Sequence, residues 1–256
     1  MSVPRCLTIA GSDSGGGAGI QADLKAFAAA GCHGTSAIVA LTAQNTVGVT
    51  AVHEVPPEFV QAQLEAVFSD IGVDAAKTGM LFSAPIVEAV ADFLAAHPVP
   101  LVVDPVMVAS SGARLLQEGA VQSLRMELFP LATVITPNVM EAEALVGQGT
   151  RDQLAVKLHA LGPKAVVVTG GHGEPADTLF DGDRIVRIGV PRHDSGATHG
   201  AGCTHSAMLT ALLARGLDLE TAAREAARVA AEAVRNGLAS LGAGDGPVDV
   251  FGLERR

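Results

Sequence analysis

The chain has 256 residues, 48% of them hydrophobic and 17% charged, with a formal net charge of −10 and neither Trp nor Tyr. An apolar chain of this length can bury a large core, and its low charge argues against disorder. The acidic balance excludes a protein that grips a nucleic-acid backbone, and the missing aromatics argue against a single-strand stacking platform.

In chain order, short apolar runs of β type alternate with amphipathic stretches. Residues 6–9, 36–41, 75–77, 101–104, 134–136 and 165–168 are expected as buried strands, and 20–30, 57–70, 84–97, 120–129 and 151–161 as helices. Gly31 stands where a left-handed residue closes the first helix. Further on, 177–180 and 184–188 flank Asp181-Gly182, a hairpin signal. Two Ala-rich helices, about 202–215 and 219–237, complete the pattern. Continuous apolar strands separated by helices predict an α/β fold, a mostly parallel sheet covered on both faces. No repeat, low-complexity tract or linker interrupts it, so a single domain over 1–256 is expected.

Three cysteines, Cys6, Cys32 and Cys203, make an odd count without a CxxC pair. That spacing suits neither a disulfide framework nor a zinc site and points to a reducing compartment. The first ten residues lack the features of a signal peptide, and no apolar run is long enough to span a bilayer. A cytoplasmic protein without membrane partners is the expectation.

Ligands of such sheets bind beyond the carboxyl ends of the strands, so the turns that follow each strand are the places to inspect. The first, Gly11-Ser-Asp-Ser-Gly-Gly-Gly-Ala-Gly19, contains a G-x-G-x-x-A match at Gly17. That match lies eight residues beyond Ile9, whereas the dinucleotide fingerprint follows its strand directly. A purely structural turn stays open, although five glycines in nine positions are many for one. Asp13-Ser14-Gly15-Gly16 echoes a serine-protease turn only by coincidence of small residues.

Gly200-Ala201-Gly202-Cys203-Thr204 opens a helix and is the most chemically suggestive stretch. Free first-turn amides and the helix dipole form an anion site that needs no lysine. A thiol there is expected to have a lowered pKa and to take a proton from a substrate hydroxyl; the alternative is a small buried hydrophobe. Asn138 and Glu141 have the spacing N-x-x-E near a helix start. The carboxylate suits Mg²⁺ held through water beside nucleotide phosphates, and a helix cap explains the pair equally well. No G-x-x-x-x-G-K-[ST] loop occurs, which excludes a P-loop enzyme. Asp23 and Gln44 are polar residues expected at or near the cleft rim.

Taken together, these motifs cease to be independent. Leu7-Thr-Ile-Ala-Gly-Ser-Asp-Ser-Gly-Gly-Gly-Ala-Gly-Ile-Gln-Ala-Asp-Leu-Lys25 closely resembles the N-terminus of the hydroxymethylpyrimidine/phosphomethylpyrimidine kinases of thiamine biosynthesis, in the ribokinase-like superfamily. The resemblance continues through Leu41-Thr-Ala-Gln-Asn-Thr46, Lys77-Thr-Gly-Met-Leu81, Asp104-Pro-Val-Met-Val108, Thr136-Pro-Asn138, Gly170-Gly-His172, Asp177-Thr-Leu179 and Thr198-His-Gly-Ala-Gly-Cys-Thr204, and reaches Gly244-Asp-Gly-Pro247. It implies ATP-dependent phosphorylation of 4-amino-5-hydroxymethyl-2-methylpyrimidine and then of its monophosphate. By position it implies Gln44, Asp23, Gly11, Met80 and Val106 for the pyrimidine. Cys203 would be the catalytic base, with the amides of Gly200, Ala201 and Gly202 on the transferred phosphoryl group. Asn138, Thr169, Gly171 and Asp104 would face the nucleotide, and Glu141 would hold Mg²⁺. A homodimer is the expected assembly.

The chain departs from this family at Ser110, Thr169 and Gly196, where its members typically carry lysine, and at Ala201, where they carry threonine. The missing charge either weakens ATP binding or slows transfer, or is replaced by Arg114 or the metal. Two other functions remain open: a pyridoxal-type kinase on the same scaffold, against which Gln44 argues, and a pyrimidine-binding sensor whose kinase activity has decayed.

Overall fold

The computed structural model describes residues 2–108, 112, 115–117, 119–170 and 175–253. Ser110, Arg114, Gly171 and His172, singled out above, lie outside them. The strands are β1 (Arg5–Ala10), β2 (His33–Ile38), β3 (Ala40–Gln44), β4 (Val49–Glu54), β5 (Ala75–Thr78), β6 (Leu101–Val103), β7 (Val134–Ile135), β8 (Val166–Val168), β9 (Ala176–Phe180) and β10 (Ile185–Gly189). The helices are α1 (Gly19–Ala29), α2 (Pro57–Ala66), α3 (Ala84–Ala96), α4 (Ala120–Ser123), α5 (Val139–Val146), α6 (Arg151–His159), α7 (Ala201–Ala214) and α8 (Leu219–Arg235).

Eight strands form one sheet in the order β10-β9-β8-β7-β6-β5-β1-β2. Neighbours from β2 to β8 run parallel; β9 and β10 add an antiparallel edge. Alternation along the strands divides the core between two faces. Leu7 and Ile9 join Leu101, Val103, Ile135, Val166 and Val168 on one side, under α2, α3, α5 and α6. Cys6 joins Val102, Val134 and Val167 on the other, under α1, α7 and α8. The apolar runs are continuous because both faces are covered. Chain order reverses between β1 and β5, and in open α/β sheets that point opens a crevice above the strand ends. No helix among the described residues is long and apolar enough to cross a membrane.

Most expected elements form with their ends shifted by a residue or two, and three differ in kind. The run 36–41 is divided: β2 ends at Ile38 in the main sheet, and β3 pairs with β4 in a separate two-stranded sheet. The helices expected over 57–70 and 120–129 keep regular α geometry only to Ala66 and Ser123, then continue in wider or tighter turns to Ile71 and Leu131. The helix after Asn138 spans Val139–Val146. Along α7, residues from Thr204 to Leu212 are buried, because α1 and α8 flank this helix while the sheet lies beneath it.

Candidate active site

A cleft of about 190 Å³ opens at the sheet's reversal point. It gathers Gly11, Asp23, Gln44, Met80, Asp104, Val106, Asn138, Glu141, Thr169, Gly200, Ala201, Gly202 and Cys203, every expected site residue except Gly171, which lies outside the described residues.

The glycine-rich loop after β1 folds around its own carboxylate. Asp13 accepts amide hydrogen bonds from Gly15 (2.8 Å), Gly17 (3.0 Å) and Ala18 (2.8 Å), and its Oδ2 lies 2.8 Å from His199 Nε2. Burial opposes the Asp13 charge, but His199 and these amides outweigh it and hold the carboxyl below its ordinary value. The loop's amides therefore face Asp13, and the loop serves as a wall of the cleft. The glycines are needed where backbones touch. A Cβ on Gly200, at φ 83°, would stand 1.8 Å from the Gly17 carbonyl oxygen.

Gly200 caps α7 in a left-handed conformation. The Ala201 amide bonds the Thr198 carbonyl and that of Thr204 bonds Gly200, so the free first-turn donors are those of Gly202 and Cys203. Cys203 opens partly on the cleft. The lowered pKa expected for its thiol is corrected by its surroundings. Burial, Asp23 and Asp104 push it up to about 12, against the opposing pull of Lys77 and the Gly19 amide. The helix terminus does not offset two carboxylates in a poorly solvated site.

Beneath the thiol lies a charged cluster that sequence reasoning missed. Lys77 Nζ is 2.9 Å from Asp23 Oδ1 and 3.9 Å from Asp104 Oδ2, with its side chain fully buried. Thr8 donates to Asp23 Oδ2 at 2.6 Å, and Ser206 donates to Asp104 Oδ2 at 2.8 Å. Burial works against the Lys77 charge, yet Asp23, Cys203 and Asp104 together hold its pKa above the ordinary value. The rim position expected for Asp23 is thus corrected. It is buried in the cleft floor with one oxygen on Lys77 and the other on Thr8, so it acts on a ligand chiefly through Lys77. Lys77 stood in the sequence as the first residue of the Lys77-Thr-Gly-Met-Leu81 block at the end of an apolar strand, with nothing local to mark its ion pairs.

Thr42 Oγ1 donates to the Ser12 carbonyl at 2.8 Å and lies 3.2 Å from the side-chain amide of Gln44, which lines the cleft. Gly11 sits against Met80, whose Cε a Cβ on Gly11 would approach to 2.4 Å. Across the cleft, Asn138 Oδ1 accepts from the Glu141 amide and Glu141 Oε2 from the Asn138 amide, both at 2.9 Å. The pair is a capping box. Burial and the Asp104 charge raise Glu141 to about 8. A buried Glu141 carboxyl raised in part by the Asp104 charge would be returned to its ionised form by a divalent cation. Among the described residues no group of three or more His, Cys, Asp or Glu side chains is arranged to hold a metal ion by itself.

This parallel sheet with its glycine-capped α7 is shared with solved vitamin kinases, which places the chain in the class of kinases with the ribokinase-like fold. The phosphomethylpyrimidine kinase family model matches residues 13–249, and the chain belongs to that family. It is 47% identical over 268 residues to the hydroxymethylpyrimidine/phosphomethylpyrimidine kinase of Haemophilus influenzae, covering 99% of each chain. It is 51% identical over 253 residues to the thiamine biosynthesis bifunctional protein ThiED of Geobacter sulfurreducens; the match covers 95% of this chain and 51% of that longer protein. Among solved structures, the Bacillus subtilis pyridoxal kinase in its ADP complex matches with a TM-score of 0.90 at 38% identity over 100% of both chains.

Proposed function

We propose that this chain, as one kinase domain over residues 1–256, phosphorylates 4-amino-5-hydroxymethyl-2-methylpyrimidine with ATP and then phosphorylates the monophosphate to the diphosphate. The observation that carries this reading is the convergence of Cys203, the free amides of Gly202 and Cys203, and the Gln44 amide on one cleft. Gln44 bonds the polar edge of the aminopyrimidine while Gly11, Met80 and Val106 pack against its ring. The hydroxymethyl oxygen faces Cys203, and the transferred phosphoryl group meets the α7 amides. Its transition state is loose and anionic, so aligned donors and a helix terminus do most of the work. To act as the base Cys203 must be a thiolate, so its own proton leaves to solvent before transfer, and the thiolate then takes the hydroxyl proton late in transfer.

Glu141 and Asp104 would hold Mg²⁺, which supplies charge neutralisation for the phosphates. The raised pKa of Glu141, to which burial and the Asp104 charge contribute, and the place of both carboxyls on one cleft support that assignment. Asn138 and Thr169 would face the nucleotide. Three free thiols fit the cytoplasm. The expected homodimer would draw on the β3–β4 hairpin, where Leu41 and Val47 stand exposed.

A coupled assay of ADP release with the hydroxymethylpyrimidine and with its monophosphate tests the reading. Turnover of both is expected, and turnover of neither overturns it. The likeness to a pyridoxal kinase favours a side activity on pyridoxal. A head-to-head comparison of kcat/KM should favour the pyrimidine, and Gln44→Ala should narrow the gap.

A further inference from the structure

Helix α7 separates two cavities. Successive helical residues turn by about 100°, so Cys203 and His205 point to nearly opposite sides. Cys203 lines the cleft described above, and His205 lines a second cavity of about 210 Å³. Thr169, Thr198, Ala201 and Gly202 line both, so the two spaces meet across the helix N-terminus. The second cavity is walled by Val190 and Pro191 and by Ala227, Ala230 and Ala231 of α8. Apolar walls of small side chains suit a flat ring.

Its polar feature is a buried pair. His205 is 5% exposed, and neither ring nitrogen has a hydrogen-bond partner among the described residues. Asp177 Oδ2 stands 3.6 Å from His205 Nε2, beyond hydrogen-bond reach, while Asp177 Oδ1 accepts from the Gly170 amide at 2.7 Å. A buried imidazole without partners is uncommon and costs free energy until a partner arrives.

We propose that His205 determines nucleotide affinity by hydrogen-bonding the nucleoside of ATP, whose base lies between Pro191 and the α8 alanines while its phosphates cross the α7 N-terminus towards Cys203. This rests on the kinase reading above. It gives the two sides of α7 separate tasks, His205 holding the donor and Cys203 serving the acceptor.

The test is steady-state kinetics of His205→Leu and His205→Gln beside the wild type. His205→Leu should raise KM for ATP about 10-fold, the effect of one lost hydrogen bond, with kcat and the pyrimidine KM within about twofold of wild type. His205→Gln keeps a donor and an acceptor and should recover most of the loss. With 2′-deoxy-ATP or inosine triphosphate as donor, the Leu penalty should vanish for one of them, locating the contact on sugar or base. An unchanged ATP KM in His205→Leu, a parallel loss of pyrimidine affinity, or a penalty that persists with both analogues overturns the inference. Should the variants fail to fold, ¹⁵N NMR of the wild-type imidazoles decides. A non-hydrolysable ATP analogue should shift the His205 signals and the pyrimidine alone should not; no shift with the analogue overturns the proposal. Wild-type turnover with an unaffected His205→Leu sinks this inference alone, whereas no wild-type turnover sinks the kinase reading.

Discussion

Cys203 shows how far a residue's chemistry depends on neighbours that lie distant in the chain. Helix-start position alone would favour the thiolate, but Asp23 and Asp104 lie close and Lys77 balances only part of their charge. In the ligand-free protein the thiol stays protonated at neutral pH. Cys6 and Cys32 are buried with their pKa values also raised, chiefly by burial. All three should therefore react with iodoacetamide much more slowly at pH 7.5 than a free cysteine of pKa about 8.5, as followed by intact-mass measurement. Fast labelling of Cys203 would contradict this charge arrangement. Cys203→Ala should lower kcat about 10²–10⁴-fold, the usual contribution of a general base, with little change in the pyrimidine KM. Lys77 allows a second prediction. Lys77→Met strands buried carboxylates at a cost of about 3–5 kcal/mol, lowering Tm by on the order of 10 °C at about 2–4 °C per kcal/mol. Adding Asp23→Asn should return part of that loss in a thermal melt. The motif that contains Lys77 was legible in the sequence, but its ion pairs were not, since Asp23 is 54 positions away.

Among the elements, the strands and helices that could be read were those whose periodicity reports burial. Leu101–Val103 and Val166–Val168 are apolar at every position because successive side chains enter the two covered faces of the sheet. The β3–β4 hairpin was not legible, because nothing in the apolar run 36–41 marks Val39 as the point where the chain leaves one sheet for another. The capping box at Asn138 was legible as one of two options, since three-residue spacing is local. The tie between the β1 loop and the α7 cap was hidden, because Asp13 and His199 are 186 positions apart. Gly200→Ala would drive a Cβ into the Gly17 carbonyl and force an L residue into positive φ. Activity should fall by orders of magnitude and Tm should drop, with both loops displaced. Asp13 offers a pH test. Its folded pKa lies below the unfolded value, so its stabilisation is present at neutral pH and is lost as pH falls below about 4 through the folded value. Asp13→Asn should therefore be less stable than wild type at pH 7 in urea melts, and the gap should shrink towards pH 3.

At the scale of the whole molecule, a net charge of −10 meets a polyanionic co-substrate. Among the described residues, the Lys and Arg side chains that line the two cavities are Lys77 and Arg192. Lys77 is committed to Asp23 and Asp104, whereas Arg192 is exposed and forms no ion pair or hydrogen bond among the described residues. Arg192, on the wall of the second cavity, is thus the unpaired cation among the described lining residues and adds a long-range attraction for the negative charge of the nucleotide. Arg192→Ala should raise KM for ATP by about 3–10-fold while leaving the pyrimidine KM unchanged. Because Arg192 is solvent-exposed, its attraction is screened by salt. The wild-type ATP KM should accordingly climb between 50 and 300 mM KCl at fixed Mg²⁺ (concentrations chosen to span Debye lengths of roughly 14 to 6 Å), and the variant's should climb less. Equal salt dependence in the two proteins would deny Arg192 that attraction and leave the α7 amides and Mg²⁺ to hold the nucleotide.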